Sequence, residues 1–178
     1  LRREFQLRLN WPHLKIVPLR GNLDTRLKKL DNDEMQGIIL AASGLKRLNM
    51  SSRIKQIISP TTILPATGQG ALGIEILSSN DDVKKLIEPM IDITTSKEVS
   101  IERAVSRKLG ASCQLPLAVF CEFQKETENF RLRARLAMPD GSCLCSVDIY
   151  GSNEESLGYE AAENLISQGA KTVIDALN

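Results

Sequence analysis

The sequence predicts a mixed α/β fold: an α/β first half, then a small α+β unit with an antiparallel sheet and helices. Three observations predict it. Residues 35–42 form an unbroken apolar run of strand length placed between helical patterns, as a buried parallel strand requires. Residues 130–136 alternate strictly, with Phe130, Leu132, Ala134 and Leu136 separated by Arg131, Arg133 and Arg135, the signature of a half-exposed antiparallel strand. From about Glu154 to the end the pattern is helical, with a break near Gly169.

The elements follow in order. Residues 1–11 read as a helix stopped by Pro12, and residues 14–19 as a short strand. Asn22 is a good N-cap for a helix carrying Leu23, Leu27 and Leu30 on one face, with Asp24 in its first turn, where a carboxylate suits the dipole. Strand, helix, strand, helix implies a βαβ layout and a parallel sheet. The Pro-, Gly- and Thr-rich stretch 60–73 reads as a hinge, overlapping a further strand at 71–77. Ser79-Asn80-Asp81-Asp82 caps a helix to about Met90, and Thr95 or Ser96 caps a longer one ending near Gly110. Residues 117–123 and 142–150 are the other strands of the antiparallel sheet, with a hairpin turn at Pro139-Asp140-Gly141.

Composition narrows the function. The 178 residues are 42% hydrophobic and 25% charged, a globular profile, and carry a net charge of +1, which favours neither nucleic acid nor a membrane surface. No apolar run reaches the ~20 residues of a membrane span, and the opening residues lack the apolar core of a signal peptide. The chain opens on Leu1 inside a helical pattern, which suggests a fragment or a processed chain. Of the four cysteines, none forms a CxxC pair. Cys143-Leu144-Cys145 places two thiols on one face of a strand, and the single His13 argues against a structural zinc site. Reduced thiols and a cytoplasmic location are the expectation. Arg2, Arg3, Arg20, Arg26 and Arg47 concentrate in the first third, and spacing alone favours solvated helix faces for them.

Five stretches, in order, carry a resemblance: Leu1-Arg2-Arg3; residues 19–27 (LRGNLDTRL); residues 38–48 (IILAASGLKRL); residues 64–75 (LPATGQGALGIE); and Glu102-Arg103-Ala104 leading to Cys113-Gln114-Leu115-Pro116. Together they resemble the porphobilinogen deaminase (hydroxymethylbilane synthase) family, through nearly all of the chain. The resemblance implies a C-terminal fragment. Residues 1–70 would be part of a central α/β domain, similar to a periplasmic-binding-protein lobe, plus a hinge. Residues 71–92 would be a crossover segment packing on a missing N-terminal domain. Residues 93–178 would be the α+β cofactor-attachment domain.

The resemblance also implies a chemistry. Such enzymes condense four porphobilinogen molecules head to tail into a linear tetrapyrrole, releasing ammonia each time. They are transferases primed on a covalent dipyrromethane cofactor. By position the thioether falls on Cys113, and a thiolate suits attack on a carbon electrophile. Cys121, Cys143 and Cys145 are then small buried hydrophobes. Where the family usually has Gly-Gly before this cysteine the chain has Ala111-Ser112, and Leu115 replaces a β-branched residue. A positive φ at either of the former would cost about 1 kcal/mol.

Each pyrrole carries an acetate and a propionate, and the planar arginine fork binds carboxylates bidentately. Cofactor binding maps onto Arg2, Arg3, Arg20, Arg26 and Arg47, and substrate binding onto Arg20, Arg26 and Arg47. The family's catalytic aspartate belongs to the missing domain. No acidic residue here matches it, Asp24 and Glu102 being structural, so the chain alone is expected to be inactive. The expected partners are porphobilinogen, linear pyrrole intermediates and the N-terminal domain, with the complete enzyme monomeric. An anion-binding α/β lobe without catalysis is the alternative, and a cysteine at position 113 is what such a lobe would not need.

Overall fold

The computed structural model describes residues 1–111 and 115–177. Among them are seven α-helices and one three-stranded antiparallel sheet. The helices are α1 (Arg2–Asn10), α2 (Leu23–Asp31), α3 (Ala42–Arg47), α4 (Asp81–Ile87), α5 (Ile93–Lys108), α6 (Glu154–Ser167) and α7 (Ala170–Leu177). The strands are β1 (Leu117–Gln124), β2 (Asn129–Leu136) and β3 (Cys145–Gly151), in spatial order β1-β2-β3.

The core lies where alternation meets helical periodicity. Phe130, Leu132, Ala134 and Leu136 of β2 are buried, together with Leu117, Val119 and Cys121 of β1 and Cys145 and Val147 of β3. They join Ile101, Val105 and Leu109 of α5, Leu157, Ala161 and Leu165 of α6, and Ala170 and Val173 of α7. Helices α5 and α6 approach closely at Gly158, where an added Cβ would sit 2.6 Å from Ala104 Cβ and 2.7 Å from the Ile101 carbonyl oxygen. Gly169, at φ +101°, separates α6 from α7, a backbone conformation that side chains with a Cβ rarely adopt.

The arginines of β2 occupy the opposite face. Arg131 binds Asp148 bidentately at 2.9 and 2.7 Å and lies over the Tyr150 ring, and Arg133 pairs with Glu122 at 3.0 Å over Phe120. Arg135 donates to the carbonyls of Thr61 and Thr62, at 3.1 and 3.0 Å. This face is therefore more covered than the alternation implies: Arg133 is only 5% exposed.

The outer edge of β1 is closed without another strand. Its outward N–H groups donate to the Pro65 carbonyl (from Val119, 3.2 Å), to Glu102 Oε1 (from Cys121, 2.9 Å) and to Glu98 Oε1 (from Phe123, 2.8 Å). Two carboxylates four residues apart on α5 thus satisfy edge donors that would otherwise be open or buried without a partner.

Several expectations are corrected. Residues 14–19, 35–42 and 71–77, read as strands, form no ladder among the described residues, so the parallel βαβ layout is not observed there. A strand exists only with a hydrogen-bonding neighbour, and apolar composition does not supply one. The last residue of the 35–42 run, Ala42, begins α3 instead. In 71–77 Leu72, Ile74 and Leu77 face solvent, with Leu72 79% and Leu77 75% exposed. Helix α5 is capped by Asp92, which accepts from Thr95 N–H at 2.8 Å, and not by Thr95 or Ser96, so it starts earlier than read. Cys143 precedes β3, is exposed and sits at φ +53°, so it neither shares the buried strand face of Cys145 nor acts as a buried hydrophobe.

The stretch 60–73 is a loop, as read, but it is pinned. Gln6, buried on α1, accepts from Leu64 N–H at 2.8 Å and donates to the Leu64 carbonyl at 3.1 Å, copying one rung of a β-ladder. The N-caps at Asn22 and Asn80 stand as expected, each accepting from the N–H three residues on. Among the described residues no helix is long and apolar enough to cross a membrane, and no group of three or more potential metal ligands occurs.

Candidate functional site

Helix α1 runs from Arg2 to Asn10 and ends before Pro12, which cannot continue it. With Phe5 and Gln6 facing inward, Arg2 and Arg3 emerge half-buried at its first turn. Helix α2, capped by Asn22, projects Arg26 from its first turn, and Arg20 lies just before the cap. Helix α3 carries Arg47 as its last residue.

The structure brings Arg2, Arg3 and Arg26 into one cluster. The pKa of Arg2 is lowered by burial and then by the charge of Arg3; that of Arg3 is lowered by burial and then by the charge of Arg26. Like charges so placed raise the affinity of the spot for an anion. Their acceptors are neutral: Arg2 Nη2 donates to Gln69 Oε1 (3.4 Å), Arg3 Nη1 to the Ile39 carbonyl (3.2 Å) and Arg26 Nε to the Gly21 carbonyl (2.7 Å). Arg47 Nη2 donates to the Gly70 carbonyl at 3.0 Å, which places it against the residue that follows Gln69. Arg20 is exposed and makes no hydrogen bond among the described residues, so its grouping with the others rests on its place before the α2 cap.

None of the five arginines pairs with a carboxylate among the described residues, whereas Arg8, Arg53, Arg131 and Arg133 all do. Among the described residues Arg2 Nε is buried without a hydrogen-bond partner, as are Nε and Nη1 of Arg133. An orphaned guanidinium nitrogen within a group of clustered cations is the geometry expected where a ligand carboxylate completes the hydrogen bonding. Cys113, the predicted attachment residue, lies outside the described residues.

Sequence reasoning missed the role of the loop 66–70. Gly68 N–H donates to Glu102 Oε2 at 2.6 Å, and the hydroxyls of Thr67 and Ser106 are 2.8 Å apart. The loop that meets Arg2 and Arg47 is thereby tied to α5. Glu102 is 4% exposed, and burial pushes its carboxyl up to about 7 against the opposing pull of its two backbone donors, Gly68 and Cys121. The sequence signal was the i, i+4 spacing of Glu98 and Glu102, with Glu102 beside the core-facing Ile101, Ala104 and Val105.

Fold and geometry together define a mixed α/β protein with an antiparallel sheet and a separate cluster of arginines that pairs with no carboxylate among the described residues. Comparison with known proteins carries this further. Residues 1–85 match the family model described as porphobilinogen deaminase, dipyromethane cofactor binding domain, and residues 96–167 match that described as porphobilinogen deaminase, C-terminal domain. Over 99% of its length the chain is 46% identical to proteins named porphobilinogen deaminase from Bordetella parapertussis and Neisseria meningitidis serogroup A, covering 56% and 57% of them. It is 47% identical to the one from Ralstonia nicotianae, covering 54%. The chain belongs to the porphobilinogen deaminase family, and it spans somewhat over half the length of these relatives.

Proposed function

We propose that this chain is the cofactor-bearing part of an enzyme that condenses four porphobilinogen molecules into linear hydroxymethylbilane with release of ammonia. The observation that carries the proposal is the cluster of Arg2, Arg3 and Arg26, whose hydrogen bonds among the described residues go to neutral acceptors. A dipyrromethane bears acetate and propionate groups, and the unpartnered Arg2 Nε is a ready donor for one of them. When bound, the cofactor supplies a tethered pyrrole to which the next unit is added. Arg2 and Arg3 orient its carboxylates; Arg20, Arg26 and Arg47 receive those of incoming substrate and of the lengthening chain. Cys113 holds the tether as a thioether.

The domain assignment belongs to the same reading. Residues 1–70 form part of a periplasmic-binding-protein-like lobe with its hinge, residues 71–92 cross to an N-terminal domain, and residues 93–178 form the attachment domain. Supporting it, the extended stretches at 14–19, 37–41 and 71–77 carry apolar side chains but find no ladder partner among the described residues. We place the protein in the cytoplasm, in keeping with the free thiols of Cys121, Cys143 and Cys145. In this reading the acid–base carboxylate of the reaction comes from an N-terminal domain, and catalysis requires that domain.

The test compares the isolated chain with a full-length enzyme carrying this segment, both supplied with porphobilinogen. Ammonia and linear tetrapyrrole should appear with the full-length enzyme and be negligible with the chain alone. Retention of linear carboxylated pyrroles by a full-length enzyme that never turns over would instead favour the anion-binding lobe without catalysis.

A further inference from the structure

Helix α5 carries four basic residues, and they divide by their partners. Lys97 and Lys108 reach α6, pairing with Glu154 at 2.6 Å and Glu163 at 2.9 Å. Arg103 and Arg107 are exposed and pair with no carboxylate among the described residues. The acids of α5 are not available to them, because Glu98 and Glu102 accept from the backbone of β1 and of the 66–70 loop. Instead the two arginines border a depression of about 210 Å³, completed by Ser106, Gly110 and Ala111.

Helix stability does not account for this placement. Like charges at i, i+4 destabilise a helix by about 0.2–0.5 kcal/mol. The favourable field of a helix C-terminus fades within its last turn, and Arg103 lies more than a turn before Lys108. An anion between the two guanidinium groups converts repulsion into two charge-assisted contacts.

Two further facts place the depression. Ala111, in the wall of the depression, stands two residues before Cys113 in the sequence. Ser106, also in the wall, bonds Thr67 of the loop whose Gln69 and Gly70 accept from Arg2 and Arg47. The depression thus adjoins both the attachment sequence and the loop that meets the main arginine cluster. We propose that Arg103 and Arg107 form a second carboxylate subsite, taking the acetate and propionate of one pyrrole ring of the tethered chain as it lengthens; this rests on the function proposed above.

The test uses the full-length holoenzyme carrying this segment, given limiting porphobilinogen, with the covalent species resolved by intact mass. R103Q/R107Q should shift the population toward shorter adducts and slow passage from one adduct to the next at least about tenfold. R103K/R107K, which keeps the charge but not the bidentate fork, should fall between. K108Q removes one charge at the same helix end but outside the depression, and should leave the distribution as in the wild type. Should the double variant misfold, the single variants, each at an exposed position, give the same readout at smaller amplitude. A loaded wild type whose adduct distribution is unchanged in R103Q/R107Q overturns the subsite alone. A wild type with no covalent pyrrole overturns the proposed function and the subsite with it. An equal effect from K108Q also overturns the subsite, since bulk charge would then suffice.

Discussion

Glu102 Oε2 lies 2.6 Å from Gly68 N, and this bond fastens the loop that meets Arg2 and Arg47 to the helix that precedes Cys113. Its other oxygen accepts from Cys121 N at 2.9 Å, so one buried carboxylate joins loop, helix and sheet edge.

The first prediction concerns pH. Burial raises the Glu102 carboxyl to about 7, above its ordinary 4.5. Between these values the folded state binds more protons than the unfolded state, so the contribution to stability is complete below about 4.5 and is lost as pH rises through 7. The size is on the order of 3 kcal/mol. Denaturant titrations of wild type and Glu102→Gln across pH 4–8 check it: the variant should lose this component of the slope, and identical slopes contradict the assignment.

A second prediction tests the α5–α6 contact. Gly158→Ala would improve helix propensity by about 1 kcal/mol. The new methyl would meet Ala104 Cβ and the Ile101 carbonyl at well under contact distance, and neither is the end of a flexible chain. A net destabilisation of about 1–3 kcal/mol is expected, seen as a lowered Tm; a raised Tm would mean that the helices separate freely.

How much of this was legible in the sequence follows from where each element finds its partners. The antiparallel sheet is local: β2 and β3 are joined by the turn at Pro139-Asp140-Gly141, and the alternation of 130–136 reports its buried face directly. The apolar runs at 35–42 and 71–77 carry the composition of strands, but their pairing is not encoded within reach of their own sequence. The edge closure by Glu98 and Glu102 left only their i, i+4 spacing in the sequence, since nothing in that spacing says that a carboxylate bonds to backbone. For the site, the arginines were found through resemblance to a family. That Arg26 lies close enough for its charge to lower the affinity of Arg3 for a proton required the fold.

The arginines supply the third prediction. In a full-length enzyme carrying this segment, Arg20→Leu and Arg26→Leu should each slow elongation by about ten- to a hundredfold, the loss of a charge-assisted hydrogen bond of roughly 1.5–3 kcal/mol. The fold should persist, because Arg20 is exposed and Arg26 gives up only its bond to the Gly21 carbonyl. Quench-flow separation of the covalent intermediates measures it, and wild-type elongation in the combined variant would refute the anion site.

A fourth prediction follows from the exposed stretch after the loop. The amides of 72–79 have no backbone acceptor among the described residues, and Leu72, Ile74 and Leu77 face solvent. In the isolated chain these amides should exchange with solvent within the shortest accessible time; added N-terminal domain should protect them. Strong protection throughout 71–90 in a monomeric isolated chain would contradict the crossover assignment.

The central claim is that this chain carries the primer of a tetrapyrrole-building reaction on Cys113, and peptide mass mapping of a full-length enzyme bearing this segment tests it most directly. The account predicts two condensed porphobilinogen units on the peptide containing Cys113, none on those containing Cys121, Cys143 or Cys145, and their loss in Cys113→Ser together with turnover. An adduct on any of the other three cysteines, or full turnover with Cys113 unmodified, would contradict it.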